Sequence, residues 1–414
     1  MRETEGDIAI IGAGIIGLTA ALALADEGRT VTLFDPNAPG QGASMGNAGV
    51  IANYGVHPLA EPRLLLTGPS LLFQRRGPLA IEPGGLLSVL PWLGQFIQAC
   101  LPWHQARLKR ALASVILDAS DLWGGLVDRV DARDVFQRAG CLYVFNRAVK
   151  RRQAEQDARS RAQYGVHTVI LSQDELGQLE PSLSGRFAGG VYFPDAASLS
   201  DPLRVNQCIA GAITARNAAW VKDRVVAINP KPRGIELTQA GGQKSLYRQV
   251  VVAAGAHSLE LLNSLGVRVP LIAERGYHLE YRKAPVLGRP VCPIEKGFYL
   301  SPMNGRLRAA GTVELGGVDA PPSEHRWAAM ASAMQSWFPD LEPPDGRWMG
   351  HRPSTPDSLP LIGAAPRDTR ILCAVGHGHV GMTLAPWTAS VIANWAGGRT
   401  IQHDLAPFAV TRFN

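Results

Sequence analysis

Cysteine is scarce in this chain, and its few copies follow no spacing that would bind a metal. The thiols are Cys100, Cys141, Cys208, Cys292 and Cys373. Their number is odd and no two of them form a CxxC pair, so neither a disulfide framework nor a thiolate metal centre is indicated. We therefore expect reduced thiols, no metal site and a cytoplasmic protein.

The chain also lacks a long hydrophobic run and a concentrated block of charge. No apolar stretch reaches the roughly 20 residues that span a bilayer. The few residues before the first apolar run at Ile8 leave no room for a signal peptide. The formal net charge is +6, but the basic residues are scattered and not interleaved with aromatics. This distribution argues against a nucleic-acid partner and favours anionic substrates or an anionic membrane face.

A glycine-rich turn near the N-terminus carries the first chemical signal. The run 8–11 predicts a buried strand, the helical pattern after it ends near Gly28, and the run 31–34 predicts a second strand that ends at Asp35. Between the first strand and the helix lies Gly12-Ala13-Gly14-Ile15-Ile16-Gly17. These glycines permit a tight turn and close approach to a pyrophosphate, while the acid can bind a ribose. The pattern predicts a dinucleotide site.

The segment that follows the second strand indicates which dinucleotide is bound. It reads Ser44-Met45-Gly46-Asn47-Ala48-Gly49-Val50-Ile51. Small side chains let backbone amides follow an extended cofactor toward its ring, whereas an NAD domain would continue into a crossover helix. FAD is therefore favoured over NAD, with an ordinary loop as the alternative interpretation.

The order of these motifs resembles the D-amino-acid oxidase superfamily of FAD-dependent oxidoreductases. The Asn47-Ala48-Gly49 core is most similar to the small subunit of D-amino-acid dehydrogenase. Four later segments also resemble elements of the family: residues 194–202, 250–256, 350–357 and 376–381. The resemblance therefore spans nearly the whole chain.

The resemblance implies an α/β protein of two interleaved domains. A Rossmann-type FAD-binding domain with a parallel sheet would comprise residues 1–60, 202–268 and 345–414. A substrate domain on a mixed or antiparallel sheet would comprise residues 61–201 and 269–344. Apolar β-type runs at 140–145, 191–193, 278–281 and 298–300 agree with such a sheet.

A second GxGxxG motif spans 376–381, between a strand-like run and a helical run. A second dinucleotide site is rejected because the remaining chain, up to Asn414, is too short for a full unit. The resemblance implies instead that this helix N-terminus points at the flavin, where its partial positive charge stabilises the reduced ring.

Candidate cofactor-binding residues come from both glycine motifs, the small-residue segment and nearby strand ends. They are Gly12, Ala13, Gly14, Ile15, Ile16, Gly17, Asp35, Pro36, Ser44, Asn47, Ala48, Gly49, Val225, Ala254, Gly255, Gly378, His379, Val380, Gly381, Met382 and Thr383. No Cys or His lies in a recognisable flavin-linking motif, so we expect non-covalent FAD.

Four residues are candidates for the substrate site. Arg352 precedes a proline, and the resemblance implies that its guanidinium holds the substrate carboxylate. The alternative is an ion pair within the protein. Tyr277 and Tyr299 are candidates to share that carboxylate or to border the pocket. His379 stands where glycine oxidases of the family place a second Arg, and it could shape substrate choice or tune the amine's protonation.

The resemblance implies oxidation of a small amino acid, with a D-amino acid such as D-proline or a hydroxyproline as the leading expectation. Hydride transfer to flavin would give an imine and then a keto acid, and the chemistry requires no nucleophile and no obligatory base. Alternatives are an oxygen-using glycine or sarcosine oxidase, a 2-hydroxy-acid dehydrogenase and the flavin subunit of a hetero-oligomer.

The apolar stretch 64–103 bears on the electron acceptor. Trp92 and Trp103, with Arg75 and Arg76 nearby, are typical of contact with a membrane interface. Such a contact predicts a peripheral position on the inner face of the plasma membrane and a quinone acceptor. Short helices covering the active site, or ordinary core, are the alternatives.

Overall fold

The computed structural model describes residues 6–65, 79–81, 86–146 and 150–413. Its strands are β1 Gly6–Ile11, β2 Val31–Phe34, β3 Val50–Ile51, β4 Leu79–Ile81, β5 Phe136–Gln137, β6 Cys141–Phe145, β7 Val169–Ser172, β8 Gly189–Phe193, β9 Ala197–Leu199, β10 Ala219–Val221, β11 Val225–Lys231, β12 Gly234–Gln239, β13 Lys244–Val252, β14 Ile272–Tyr281, β15 Val291–Pro293, β16 Phe298–Met303, β17 Arg306–Gly316, β18 Gly346–Ser354, β19 Leu361–Ala365 and β20 Asp368–Val375.

Helices pack on both faces of each of the two large sheets. They are α1 Ile15–Asp26, α2 Leu86–Ala99, α3 Pro102–Ile116, α4 Ala119–Arg129, α5 Lys150–Ala162, α6 Gln173–Leu179, α7 Pro202–Thr214, α8 Leu259–Ser264, α9 Glu324–Trp337 and α10 Gly381–Ala396. Short 3-10 turns span Arg133–Val135, Pro181–Leu183, Gly255–Ser258, Gly378–Val380 and Ala406–Phe408.

The first sheet has eight strands, with β10-β2-β1-β13-β12-β11 in order and β20 and β19 added beside β13. β10, β2, β1, β13 and β20 run parallel. β1 and β2 are buried almost throughout, which is why they read as continuous apolar runs and not as alternating ones. The parallel core and its strand–turn–helix start confirm the predicted Rossmann-type architecture.

The second sheet has nine strands in the order β18-β14-β17-β16-β15-β6-β8-β7, with β4 paired to β17. Most neighbours are antiparallel, while β15–β6 and β4–β17 are parallel. The predicted mixed sheet is therefore present. A small three-stranded sheet, β3-β9-β5, joins the segment after β2 to strands at residues 136–137 and 197–199.

The pairing of β18 differs from the expected division of the chain. β18, within the range 345–414 that we assigned to the FAD domain, pairs with β14 of the second sheet. Ser354 at its end forms an isolated bridge with His377, which follows β20 of the first sheet. The last third of the chain thus links the two sheets directly, and this link places Arg352 near the start of α10.

Helix α1 lies at the centre of the largest hydrophobic cluster. Nearly all of its residues are buried, among them Leu18 and Leu22 at 0% exposure, and they pack with apolar residues of α4, α7 and α10. Thr19 Oγ1 donates to the carbonyl of Ile15 in its own helix and to that of Ala385 in α10. A helix that is apolar all round must be buried, and here it fixes α10 against the first sheet.

Two glycines make the turn between β1 and α1 possible. Gly12 has φ +107°, and a Cβ there would lie 2.4 Å from the carbonyl oxygen of Ala253. A Cβ on Gly17 would lie 1.9 Å from the carbonyl oxygen of Gly12. The turn and the helix are therefore packed backbone against backbone, a contact that only glycine allows.

Replacing Gly17 with Ala should destabilise the fold by about 1–3 kcal/mol, because the new methyl group overlaps the Gly12 carbonyl. Gly211→Ala is the matched control, since it also lies within a helix but a Cβ there meets no atom within 4 Å. The control should be neutral or stabilising by up to about 1 kcal/mol. Thermal unfolding of both variants measures the difference, and equal melting temperatures would contradict the packing argument.

Candidate functional site

The N-terminus of α1 forms the first half of the site. Gly14 is its N-cap and offers no side chain to the free N–H groups. The N–H of Ile15 donates to Ser44 Oγ at 2.9 Å, and the N–H of Ala13 donates to Asp35 Oδ2 at 2.8 Å. These bonds bring the end of β2 and the small-residue segment to the same turn, as the motif order predicts.

The residues at this turn fit a bound FAD. A Cβ on Gly14 would contact only Ser44 Oγ, at 3.5 Å. Because Gly14 has no side chain, the space in front of the helix N-terminus stays open. The partial positive charge of α1 suits a pyrophosphate, and Asp35 retains lone pairs for ribose hydroxyls. Ala254 and Gly255 follow β13, which pairs in parallel with β1, so their backbone lies beside the Gly12 turn.

The segment after Ser44 is held in an extended path. Asn47 Oδ1 accepts the N–H of Gly49 at 2.7 Å, and Gly49 has φ +71°. Arg308 Nη1 donates to the carbonyls of Met45 at 3.0 Å and Asn47 at 2.7 Å. Glu280 binds the same guanidinium at 2.6 Å through Nη2. The second sheet therefore fixes the segment that we expect to lie along the cofactor.

The remaining cofactor candidates are more scattered. Val225 is buried at the start of β11, on the antiparallel side of the first sheet. Pro36 is exposed beyond the end of β2, and Ala48 is half-buried.

The second glycine motif forms a strand–turn–helix, as its pattern predicts. Gly376 and Gly378 adopt φ +73° and +49°, and α10 begins at Gly381 without a side-chain cap. Thr383 Oγ1 accepts the N–H of Ala52 at 3.1 Å. The uncapped first turn of this long helix thus lies against the end of the small-residue segment, where the resemblance places the flavin ring.

Arg352 and His379 meet at a buried carboxylate. Arg352 Nη1 donates to Glu274 Oε1 at 2.8 Å and to the carbonyl of Thr312 at 3.0 Å. His379 Nε2 lies 2.5 Å from the same Oε1, and Ser354 Oγ donates to Oε2 at 2.9 Å. Glu274 and Arg352 are directly opposed residues of β14 and β18.

The electrostatics keep Glu274 ionised. Its side chain is 3% exposed, and this burial by itself would raise the pKa of the carboxyl group. The charges of His379 and Arg352, with the hydrogen bonds from His379 and Ser354, outweigh burial and lower the pKa of Glu274 to about 2. Arg352 and His379 are themselves 22% and 33% exposed, so both reach beyond the buried carboxylate.

Tyr277 lies on the other face of β14. Its hydroxyl donates to Glu314 and accepts the N–H of Ser323 at 3.1 Å. Its ring packs edge-on against Trp327, and burial, followed by the bond to Glu314, raises the pKa of Tyr277 to about 12. Successive side chains of a strand point to opposite faces, so Tyr277 and Glu274 cannot line one pocket.

Tyr299 belongs to a partly buried cluster of hydroxyl groups. Its oxygen lies 3.1 Å from the hydroxyl of Tyr54 and 3.0 Å from that of Tyr143, and Tyr54 donates to Cys141 Sγ at 3.2 Å. Burial raises the pKa of Tyr299 well above its usual value. Each hydroxyl has one proton, so with Tyr54 bonded to sulfur, Tyr299 donates to Tyr54 and Tyr143 donates to Tyr299.

The structure thus brings Arg352 and His379 together and leaves Tyr277 apart. Glu274, which joins them, was missed because it is separated from Arg352 by 78 residues along the chain. The one sequence feature that could have indicated Glu274 is the presence of an acidic residue in the strand-like stretch 270–277. Acidic residues are almost never fully buried without a partner. The partner itself could not be read from the sequence.

Comparison with known proteins identifies the family of the chain. A family model described as FAD dependent oxidoreductase, DAO, matches residues 7–395. A D-amino-acid oxidase of Bradyrhizobium diazoefficiens is 34% identical over 419 residues, covering 98% of each chain.

Solved structures share the fold over nearly the full length. Glycine oxidase from Geobacillus kaustophilus superposes with a TM-score of 0.77 at 23% identity, covering 99% of both chains. L-proline dehydrogenase from P. horikoshii gives 0.74 at 17% identity, covering 100% of this chain and 98% of that one. The family-model match and the D-amino-acid oxidase relative establish the cofactor and the family: the chain belongs to the DAO family of FAD-dependent oxidoreductases.

Proposed function

We propose that the chain is an FAD-dependent dehydrogenase of small D-amino acids, with D-proline and the hydroxyprolines as the first substrates to test. The observation that carries this proposal is the position of Arg352. Its guanidinium is partly exposed beside His379, which immediately precedes the N-terminal turn of α10. A D-amino-acid oxidase is also among its relatives at 34% identity.

Arg352 has donors left for a substrate. Both hydrogen bonds that it makes to the described residues come from Nη1, to Glu274 and to Thr312. Nε and Nη2 are therefore available to a carboxylate. A Cβ on Gly276 would lie 2.3 Å from Nη2, so the guanidinium rests directly on that glycine. Glu274 and Gly276 together fix the direction in which Arg352 presents its remaining donors.

In the proposed reaction, FAD supplies a hydride acceptor for the α-carbon of the substrate. The chain's own residues bind and orient: Arg352 holds the carboxylate and so sets which face of the α-carbon meets the ring. The oxidised substrate is an imine, which water converts to a keto acid, with release of ammonia when the amine is primary. Handedness follows from the positions of Arg352, the ring and the pocket wall that takes the side chain.

The experiment that tests this function is anaerobic. The purified flavoprotein is mixed with D- and L-amino acids one at a time, cyclic ones included, and the visible absorbance of the flavin is followed. We expect bleaching by the D series, and slow return of colour on admission of air compared with addition of a soluble quinone.

Other outcomes would redirect the proposal. Rapid reoxidation by air with peroxide formation would identify an oxidase of the glycine or sarcosine type. Bleaching only by 2-hydroxy acids would replace the amino-acid assignment. No bleaching by the isolated chain, followed by bleaching in the presence of cell extract proteins, would indicate a subunit of a larger dehydrogenase.

Arg352→Ala should raise KM for the best amino acid by a factor worth about 2–4 kcal/mol, because the charged partner of the substrate carboxylate is lost. Arg347→Ala is the matched control on the same strand, since that side chain is 57% exposed and pairs with Glu324. Steady-state kinetics with an artificial acceptor measures both. An unchanged KM in Arg352→Ala would remove this residue from the substrate site.

We further propose that electrons pass to a membrane quinone from a peripheral position. Leu90 and Ile97 on α2 are each 49% exposed, and Trp103 at the start of α3 is 70% exposed. Residues 83–117 contain no acidic residue, and the exposed Arg107 and Arg110 follow Trp103. Apolar side chains with an adjoining basic face suit an anionic bilayer surface.

The expected contact is interfacial. Among the described helices, none has the length and apolar character needed to cross a bilayer. The expected contact stretch 64–103 is described only in part, because Arg75 and Arg76 lie outside the described residues. Trp92, by contrast, is buried on β17 and β18 and donates to the carbonyl of Ser354 at 3.0 Å.

The double variant Ile97→Ser/Trp103→Ser should lose most of its sedimentation with vesicles that contain anionic phospholipid, because interfacial apolar area is removed. Val286→Ser is the matched control, since Val286 is 84% exposed elsewhere on the surface. Turnover with a soluble acceptor should not change in either variant. Equal binding of wild type and double variant, or binding by neither, would remove the membrane surface from the proposal.

A further inference from the structure

The imidazole of His379 and the guanidinium of Arg352 share one oxygen of Glu274. His379 Nε2 lies 2.5 Å and Arg352 Nη1 2.8 Å from Oε1, while Ser354 Oγ occupies Oε2 at 2.9 Å. The carboxylate is buried, so it is reached only through these donors. A buried carboxylate with this set of donors is an acceptor and not a donor.

The tautomer of His379 follows from that contact. The hydrogen between the two groups belongs to His379 Nε2, because an ionised carboxylate has no proton to give. In the neutral imidazole, Nδ1 then carries the lone pair. No described residue forms a hydrogen bond with Nδ1, and the side chain is 33% exposed. The neutral form of His379 therefore has a free acceptor at Nδ1, with its orientation fixed by Glu274.

We propose that Glu274 and His379 form a carboxylate–imidazole dyad that takes the proton from the substrate's α-ammonium group. The inference rests on the proposed function, since it requires an amino-acid substrate. The N–H bond of the ammonium breaks, the proton goes to His379 Nδ1, and the electron pair stays on the substrate nitrogen. Glu274 offsets the charge of the imidazolium, as carboxylates do beside catalytic histidines.

The geometry places the substrate ammonium group close to His379. An α-amino acid carries its nitrogen on the carbon next to the carboxylate. A substrate whose carboxylate binds Arg352 therefore places its ammonium group close to that guanidinium. Because Arg352 and His379 contact the same oxygen of Glu274, the imidazole lies within reach of the same substrate. The neutral amine is the form from which the α-carbon can be oxidised.

The other ionisable groups nearby leave this role to His379. Glu274 faces it from β14 and Arg352 faces it from β18. His377, two residues earlier, turns instead to Thr388 Oγ1 of α10 at 3.0 Å. His351 interacts electrostatically with His257, Arg275 and Asp319 instead, and burial lowers its pKa. Among the described residues, His379 is thus the imidazole that lies beside the place where Arg352 would bind the substrate carboxylate.

The first test is the pH dependence of flavin reduction in rapid mixing. His379→Gln should reduce its flavin about 100-fold more slowly than wild type near neutral pH. The rate should return toward the wild-type value above the pKa of the free amine, where no base is required. Glu274→Gln should shift the profile in the same direction, because the imidazolium loses its counter-charge. A merely structural role for either residue would lower the rate equally at every pH.

Matched controls separate this effect from general damage. His57 forms a second histidine–carboxylate pair, 3.0 Å from Asp157, and donates to or accepts from Ser160 Oγ on its other side. His57→Gln should leave the pH profile unchanged. Propionate, which has no amine, should bind His379→Gln as tightly as it binds wild type in calorimetry. Weaker binding of propionate would assign His379 to the carboxylate and overturn the dyad.

A second readout needs no turnover. Nitrogen NMR of histidine-labelled protein, with the His379 signal identified by its loss in His379→Gln, should show the Nε2–H tautomer in wild type. That preference should weaken in Glu274→Gln. An Nδ1–H tautomer in wild type would overturn the proposal.

The outcomes distinguish the two proposals. Flavin reduction by an amino acid in wild type, with an unchanged pH profile in both variants, would overturn the dyad and leave the function standing. No reduction by any amino acid would overturn the function, and the proton transfer with it.

Discussion

The close contact between Gly17 and the carbonyl of Gly12 is the constraint on which the rest of the molecule depends. It seats α1 directly on the turn after β1, with no side chain between the two backbones. The same turn lies against Ala253 at the end of β13, so the first sheet, the first helix and the cofactor turn are fixed together. Because α1 is buried on all sides, it then positions α10.

A second interaction joins the two sheets where the chemistry is expected. Glu274 of β14 binds Arg352 on β18 and His379 before α10, and Ser354 bridges to His377. Removing one partner would leave an uncompensated charge on the buried Glu274 carboxylate, which costs folding free energy. The strands β14 and β18 and the start of α10 are therefore held in a single arrangement. The site that receives substrate and the helix that faces the flavin are therefore not independent parts.

The tyrosines show the limit of residue type as a guide. Tyr277 and Tyr299 are both polar aromatics in strands of the second sheet, and both were candidates for the substrate site. Tyr277 lies on the face opposite to Glu274, and Tyr299 shares its proton within a cluster of three hydroxyls. Strand polarity and the register with neighbouring strands decide this, and neither is visible in a short motif.

The sequence by itself determined the elements whose signals are local. The strand–turn–helix at residues 8–28, the acid at Asp35 and the second glycine turn follow from apolar runs and glycine spacing within a few tens of residues. The preference for FAD came from the small-residue segment 44–51 and from the family resemblance. Only the tertiary structure decided that Glu274 lies between Arg352 and His379, and that β18 pairs in the second sheet. These contacts join residues 78 and 105 positions apart, and nothing in the local pattern encodes which distant charge a buried carboxylate will meet.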